Sequence, residues 1–267
     1  MTEFKWSVVF DNADVFLQGL VLTLQLSAVS AVIATVLGLV VALGRMSPFK
    51  PLAWLSLGFI NIVRAIPPFV LIIYVYYGIS MALDVNFSAF TAGVIALSLQ
   101  YTAWIAEVYR SGIEAVPVGQ HEAASSLAFG RFGAFVTIVL PQALRIVIPP
   151  LGNNLVGLVK DSSLVSFIGV VELVRNSQLL VSQTFRPFEI YTATVVLYLA
   201  ITVVISLVFT WLEKRYSTKR PTNGKQPRLS RSRLRRLLYL EQQLVATRDE
   251  NKLASSNSTT SLTAPPL

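Results

Sequence analysis

Cysteine is absent from the 267-residue chain and histidine occurs once, at His121. Disulfides, thiolate metal sites and multi-histidine metal sites within one chain are thereby excluded. Charge is also scarce. Only 13% of residues are Asp, Glu, Lys or Arg and 54% are hydrophobic, whereas soluble domains carry about 25% charged residues. A phosphate-binding loop is missing as well. The Gly224-Lys225 pair lacks both the upstream glycine and the following Ser or Thr that such a loop requires. No Ser or Cys nucleophile is placed beside His121, so no catalytic constellation is expected. The apolar runs are continuous and not alternating, which excludes a β-barrel.

What the chain has is long uncharged runs. Val15 to Gly44 contains no charged residue, and at 1.5 Å per helical residue it is ample to cross roughly 30 Å of hydrocarbon. Its acidic approach (Asp11, Asp14) and its length set it apart from a cleaved signal peptide. Pro51 to Leu83 is interrupted only by Arg64. Pro67 and Pro68 divide it into a flanking piece, 51–65, and a second span. Further spans follow in Val85–Ala106, in Phe132–Val159 (apolar apart from Arg145) and in Ile190–Leu212. The expected architecture is all-α and membrane-integral, with about five transmembrane helices near 16–44, 66–83, 86–106, 138–159 and 190–212. Residues 1–15 form an N-terminal segment outside the membrane, 16–216 the membrane domain, and 217–267 a basic, largely disordered tail.

The net charge of +8 belongs to that tail. Residues 214–267 hold twelve Lys or Arg against three Asp or Glu, and residues 1–213 hold ten against eleven. With Tyr239 as its only aromatic residue, the tail offers little for base stacking, so no nucleic-acid partner is expected. A lipid-facing or solvated cytoplasmic tail is the plainer reading. Arg45 and Lys50 in one loop, and Arg110 and Arg131 in another, put these loops and the tail on the cytoplasmic side. The 84–87 connection has Asp84 and no basic residue. An odd number of spans then leaves the N-terminus outside.

The most informative segment is Gly119–Gly152, GQHEAASSLAFGRFGAFVTIVLPQALRIVIPPLG. Glu122-Ala123-Ala124 opens a short helix of small residues between two spans, a lever that a partner could grip. After three intervening residues stands Ala128, and after nine more Ile138-Val139-Leu140-Pro141. The pattern resembles the EAA loop (here 119–141) of the membrane subunits of type I ABC importers. The family's glycine position is occupied by Ala128, which keeps the small size but not the easy access to positive φ. Thr23-Leu24-Gln25-Leu26-Ser27, Val63-Arg64-Ala65-Ile66-Pro67, Ala106-Glu107-Val108-Tyr109-Arg110 and Lys160-Asp161-Ser162-Ser163-Leu164 resemble the polar amino-acid branch. The likeness covers residues 16–216.

This resemblance implies a permease with the type I fold, importing a polar amino acid or similar small zwitterion by alternating access. It implies a second permease copy or homologue, two ATPase subunits and an extracytoplasmic solute-binding protein in a bacterial-type plasma membrane. ATP and Mg would be bound on the ATPase, and no cofactor on this chain. Gly119, Glu122, Ala123, Ala124 and Ala128 would form the coupling helix seated on the ATPase. The residues also admit a stand-alone ion-coupled secondary transporter or channel using Glu107, Lys160 or Asp161, and a scaffold acting through its tail.

Ionisable groups at membrane depth are functional candidates. Arg64, Glu107, Arg110 and Arg145 suit structural or interfacial roles: a partner for backbone carbonyls, a local ion pair, a support for the coupling helix. Lys160, Asp161, Ser162 and Ser163 precede an apolar stretch too short to cross. They are expected in a bent or re-entrant element with non-helical backbone, serving as a gate or as a self-satisfied Lys160–Asp161 pair. Asn153 and Asn154 lie near the same depth. Glu172 is expected to close an ion pair with Arg175.

Overall fold

A computed structural model describes residues 4–120, 124 and 130–216, and these residues are helical throughout most of their length. A short helix α1 (Ser7–Asp11) leads into α2 (Ala13–Arg45), 33 residues and long enough to cross a bilayer with overhang. α3 (Lys50–Ala65) ends at Ile66 in extended conformation. Pro67 and Pro68 then start α4 (Pro68–Ile73), which runs through a π-helical turn (Tyr74–Ile79) into α5 (Ser80–Leu83). The two halves meet at 104°. The proline pair explains the bend, since the residue before a proline is pushed out of the helical region and the proline nitrogen has no hydrogen to donate. Asp84, in the left-handed region at φ 52°, turns the chain.

α6 (Ala89–Glu114) is capped by Ser88, whose hydroxyl accepts from the Thr91 N–H at 3.1 Å. It runs two turns beyond the expected end of its span. Of its most apolar stretch 67% is buried, against 11% in the last helix, so α6 is the central element. α7 (Arg131–Ala134), a second π-helical turn (Phe135–Val139) and α8 (Leu140–Asp161) make one continuous rod with Pro149 and Pro150 inside it. The rod passes directly into a 3-10 helix, Ser162–Ile168. The backbone after Asp161 is thus helical where irregular structure was expected, and the break comes at Gly169, at φ 93°. α9 (Leu173–Thr184) and α10 (Pro187–Tyr216) complete the bundle. The basic tail, residues 217–267, lies outside the described residues.

Glycines set how the helices meet. A Cβ on Gly38 of α2 would lie 2.8 Å from the Ile105 side chain and 3.3 Å from the Ala106 nitrogen, and one on Gly93 of α6 would lie 3.5 Å from Leu26. Position 26 pairs with 93 and position 38 with 105, a constant offset of 67, so α2 and α6 run parallel. Small residues at such seams let backbones approach closely, the usual route to association in lipid. The intervening α3–α5 segment returns the chain, which places Arg45 and Glu114 at one end of the bundle and Asp84 at the other.

Near the Asp84 end a buried carboxylate ties three helices. Glu172 Oε1 accepts from the Arg175 N–H at 2.9 Å, and Oε2 from the Val174 N–H at 2.9 Å and the Tyr198 hydroxyl at 3.0 Å. Thr23 of α2 sits 3.4 Å from Oε2 and accepts from the Leu173 N–H at 3.2 Å. The expected Glu172–Arg175 ion pair is not formed, because the guanidinium turns to Gln178. Helix capping claims the carboxylate instead, since the first N–H groups of α9 have no other partners.

Candidate functional site

α6 carries two aromatic residues one turn apart, Tyr101 and Trp104, on a face turned towards α3 and α8. Each holds a charge from a neighbouring helix. The Tyr101 hydroxyl donates to Asp161 Oδ2 at 2.8 Å, and the Arg64 guanidinium lies over the Trp104 ring, 4.4 Å from its centre. Arg64 and Asp161 do not pair with one another. The ion pairs among the described residues are Arg110–Glu107, Arg110–Glu114 and Arg186–Glu189. The two opposite charges instead face a common cavity of about 430 Å³, lined also by Pro67, Gln100, Asn153, Asn154 and Gly157. This volume suits a small solute.

The lining follows from local structure. Ile66 is extended before the proline pair, which ends α3 at Arg64–Ala65 and leaves that guanidinium at the cavity. Gly157 gives room to Tyr101: a Cβ there would stand 2.9 Å from its hydroxyl. Asn154 returns a bond to the helix, its amide donating to the Pro150 carbonyl at 3.0 Å. Gln100 is buried and its Oε1 has no partner among the described residues. A second cavity of about 430 Å³ adjoins the first. It shares Arg64 and Trp104 and continues along Glu107, Ser111, Gly112 and Ala115 towards the Glu114 end. The Arg64–Trp104 contact therefore borders both cavities, whose linings follow α6 for roughly 20 Å.

Of the residues singled out in the sequence, Arg64, Asn153, Asn154 and Asp161 come together here. Lys160 is exposed, Ser162 donates to the Val159 carbonyl at 2.8 Å and Ser163 to the Lys160 carbonyl at 2.7 Å. These three stand apart from the cavity wall, and the Lys160–Asp161 pair does not form. Glu107 and Arg110 make the local ion pair expected of them, joined by Glu114. Arg145 is exposed on α8. Gln100, Tyr101, Trp104 and Gly157 were not singled out. The signal that marks the first three is a polar and aromatic run, Gln100-Tyr101-x-x-Trp104, inside an otherwise apolar span. No group of three or more metal-ligating side chains occurs among the described residues.

Gly119 and Gln120, which begin the segment resembling the EAA loop, lie at the Glu114 end. Gly119 is exposed on a helical turn and Ala124 is helical and fully buried. Glu122, Ala123 and Ala128 lie outside the described residues. The two flanks of the segment are tied together, since Gln142 at the start of α8 donates to Gln120 at 3.1 Å and to the Ile138 carbonyl at 2.9 Å.

Residues 34–218 match the family described as binding-protein-dependent transport system inner membrane component. A probable glutamine ABC transporter permease protein, GlnM, of Bacillus subtilis is 38% identical over 209 residues, 78% of this chain and 96% of that protein. The glutamine transport system permease protein GlnP of Escherichia coli K12 is 33% identical over 80% of this chain and 98% of its own length. The histidine/lysine/arginine/ornithine transport system permease protein HisQ of the same organism is 32% identical over 79% and 96%. Among solved structures, the crystal structure of an amino acid ABC transporter with histidines superposes with a TM-score of 0.76 at 34% identity, covering 80% of this chain and all of that one. An inward-facing MetNI methionine ABC transporter shares the fold at TM-score 0.66 and 18% identity. These relationships decide between the readings left open by the sequence: the chain belongs to the binding-protein-dependent transport system inner membrane components and is an ABC importer permease.

Proposed function

We propose that this permease passes a polar amino acid through the Arg64–Asp161 cavity. The observation that carries the reading is the pair of opposite charges facing one small cavity, each held by its own α6 aromatic and neither neutralised by the other. A zwitterion supplies both missing partners, its carboxylate to Arg64 and its ammonium to Asp161. Guanidinium–carboxylate pairing is directional and strong when water is excluded. From there the solute would pass Arg64–Trp104 to the second cavity.

The complex we infer contains two ATPase subunits, a second permease copy or homologue and an extracytoplasmic solute-binding protein. ATP and Mg are held by the ATPase and no cofactor by this chain. The Glu114 end faces the cytoplasm, where Gly119, Glu122, Ala123, Ala124 and Ala128 seat on the ATPase. The Asp84 end and the N-terminus face outward. The tie between Gln120 and Gln142 supports this role, because motion of the coupling segment is thereby passed to α8, the helix that carries Asp161.

The test is uptake by the reconstituted transporter with labelled glutamine, histidine and arginine as probes. We expect one or more to be taken up with ATP, and R64Q and D161N each to reduce uptake at least tenfold with the complex intact. E122K should release the ATPase from detergent-purified complex. Uptake without ATP, or full uptake by both cavity variants, would refute the reading.

A further inference from the structure

Phe69 and Phe167 meet edge to face, ring centroids 5.0 Å apart and planes at 73°. Phe69 follows directly on Pro67–Pro68, which line the cavity, and Phe167 lies in the 3-10 helix that begins after Asp161, the cavity's carboxylate. The contact therefore joins the two segments that lead away from the cavity's proline edge and from its carboxylate. Its depth is set by Val165, which packs on Gly93, where a Cβ would lie 3.0 Å away. Gly93 is seven residues before Gln100 on α6, about 10 Å towards the Asp84 end.

The 3-10 helix thus lies beyond the cavity on the Asp84 side, continuing from its carboxylate Asp161. Its inner face is apolar and buried, with Val165 and Ile168 set among Leu71, Ile72, Val75 and Val94. Phe167 is different: its side chain is 65% exposed. The 3-10 helix ends at Gly169, which adopts φ 93°, and a Cβ there would meet nothing within 4 Å, so conformation alone calls for glycine. Just beyond, the Glu172 cap and its bonds to Thr23 and Tyr198 fix the chain to α2 and α10. The chain beyond Gly169 is thus clamped, and at the exposed edge of the 3-10 helix Phe167 meets Phe69 in an aromatic contact of the individually weak kind.

Resting on the reading of this cavity as the solute's path, we propose that the Phe69–Phe167 contact is the latch that shuts the cavity on the Asp84 side and parts to admit solute. The chain has no cysteine, so F69C/F167C offers a clean background for a short bis-methanethiosulfonate linker in the full transporter. The linker is expected to join the pair in the resting state and to cut uptake of the labelled amino acids at least tenfold, with recovery after reduction. Singly modified variants, which carry reagent without a bridge, should transport well above the bridged protein. A second readout is independent of any solute. N154C should react several-fold faster with a membrane-impermeant thiol reagent added on the Asp84 side when F167A is also present. No bridge in the resting state, undiminished uptake by the bridged protein, or an unchanged N154C rate each overturns the latch. Absence of uptake by the unmodified transporter, with faster N154C labelling in F167A, would overturn the transport reading and leave the latch standing.

Discussion

Tyr101 reaches from the central helix to the Asp161 carboxylate, its hydroxyl 2.8 Å from Oδ2. A hydrogen bond to a charged group contributes about 1.5–3 kcal/mol, so its loss is measurable without loss of the fold. Y101F is expected to weaken binding of labelled amino acid to the purified complex, freed of its binding protein, by roughly tenfold or more. Scintillation proximity binding measures this directly. Equal affinity in Y101F and wild type would show that the bond does not prepare Asp161 for solute.

Gly157 acts through the same hydroxyl. G157A would place a methyl 2.9 Å from it, inside ordinary contact distance, and push the ring off Asp161. The expected loss of binding in G157A resembles that in Y101F, and the double variant should be little worse than either single one. Contacting residues show such coupling, typically about 0.5–3 kcal/mol in a double-mutant cycle. Simple additivity would separate the two residues.

The α2–α6 seam gives a stability contrast. G38A should lower the melting temperature of the detergent-purified protein, because its methyl meets Ile105 at 2.8 Å, and overpacking costs about 1–3 kcal/mol. Gly58 on α3 has open space around it. G58A should be neutral or stabilising, up to about 1 kcal/mol, through helix propensity. The opposite order would contradict the parallel packing of α2 on α6.

These residues also show where sequence reasoning reached and where it stopped. The proline break at Pro67–Pro68 and the uncharged spans are local patterns, and period and spacing reveal them. Arg64 and Asp161 were recognisable as costly charges at membrane depth. Their partners were not, because Trp104 and Tyr101 sit on another helix and an aromatic at membrane depth reads first as packing. Likewise, nothing local to Glu172 distinguishes an ion pair with Arg175 from a helix cap. The unpaired N–H groups at the start of α9 decide that, and they exist only once the helix is placed.

Glu172 gives a pH prediction. Its burial pushes the carboxyl above its ordinary value of 4.5, and the bonds from Val174, Arg175, Tyr198 and Thr23 only partly offset this. A carboxyl with a raised pKa binds its proton more tightly in the folded state. Its stabilising contribution is complete below the unfolded value and is lost as pH rises through the folded value. From pH 4.5 upward, the melting temperature of wild type should therefore fall relative to that of E172Q, which carries no such titration. A gap that stays constant between pH 4.5 and 8 would refute the raised value. E172A, which removes the cap outright, should be destabilised at every pH by about 1–3 kcal/mol.

The π-helical turn at Tyr74–Ile79 accommodates one residue more than the α-helical path would hold. Each residue of an α-helix advances the face by about 100°, so the surplus rotates everything beyond it, including the Asp84 corner, by more than a quarter turn. The span thus contains a spare residue that sets azimuth while scarcely changing length. Removing one residue from this turn leaves the helix able to reach the same depth, with Asp84 facing a different neighbour.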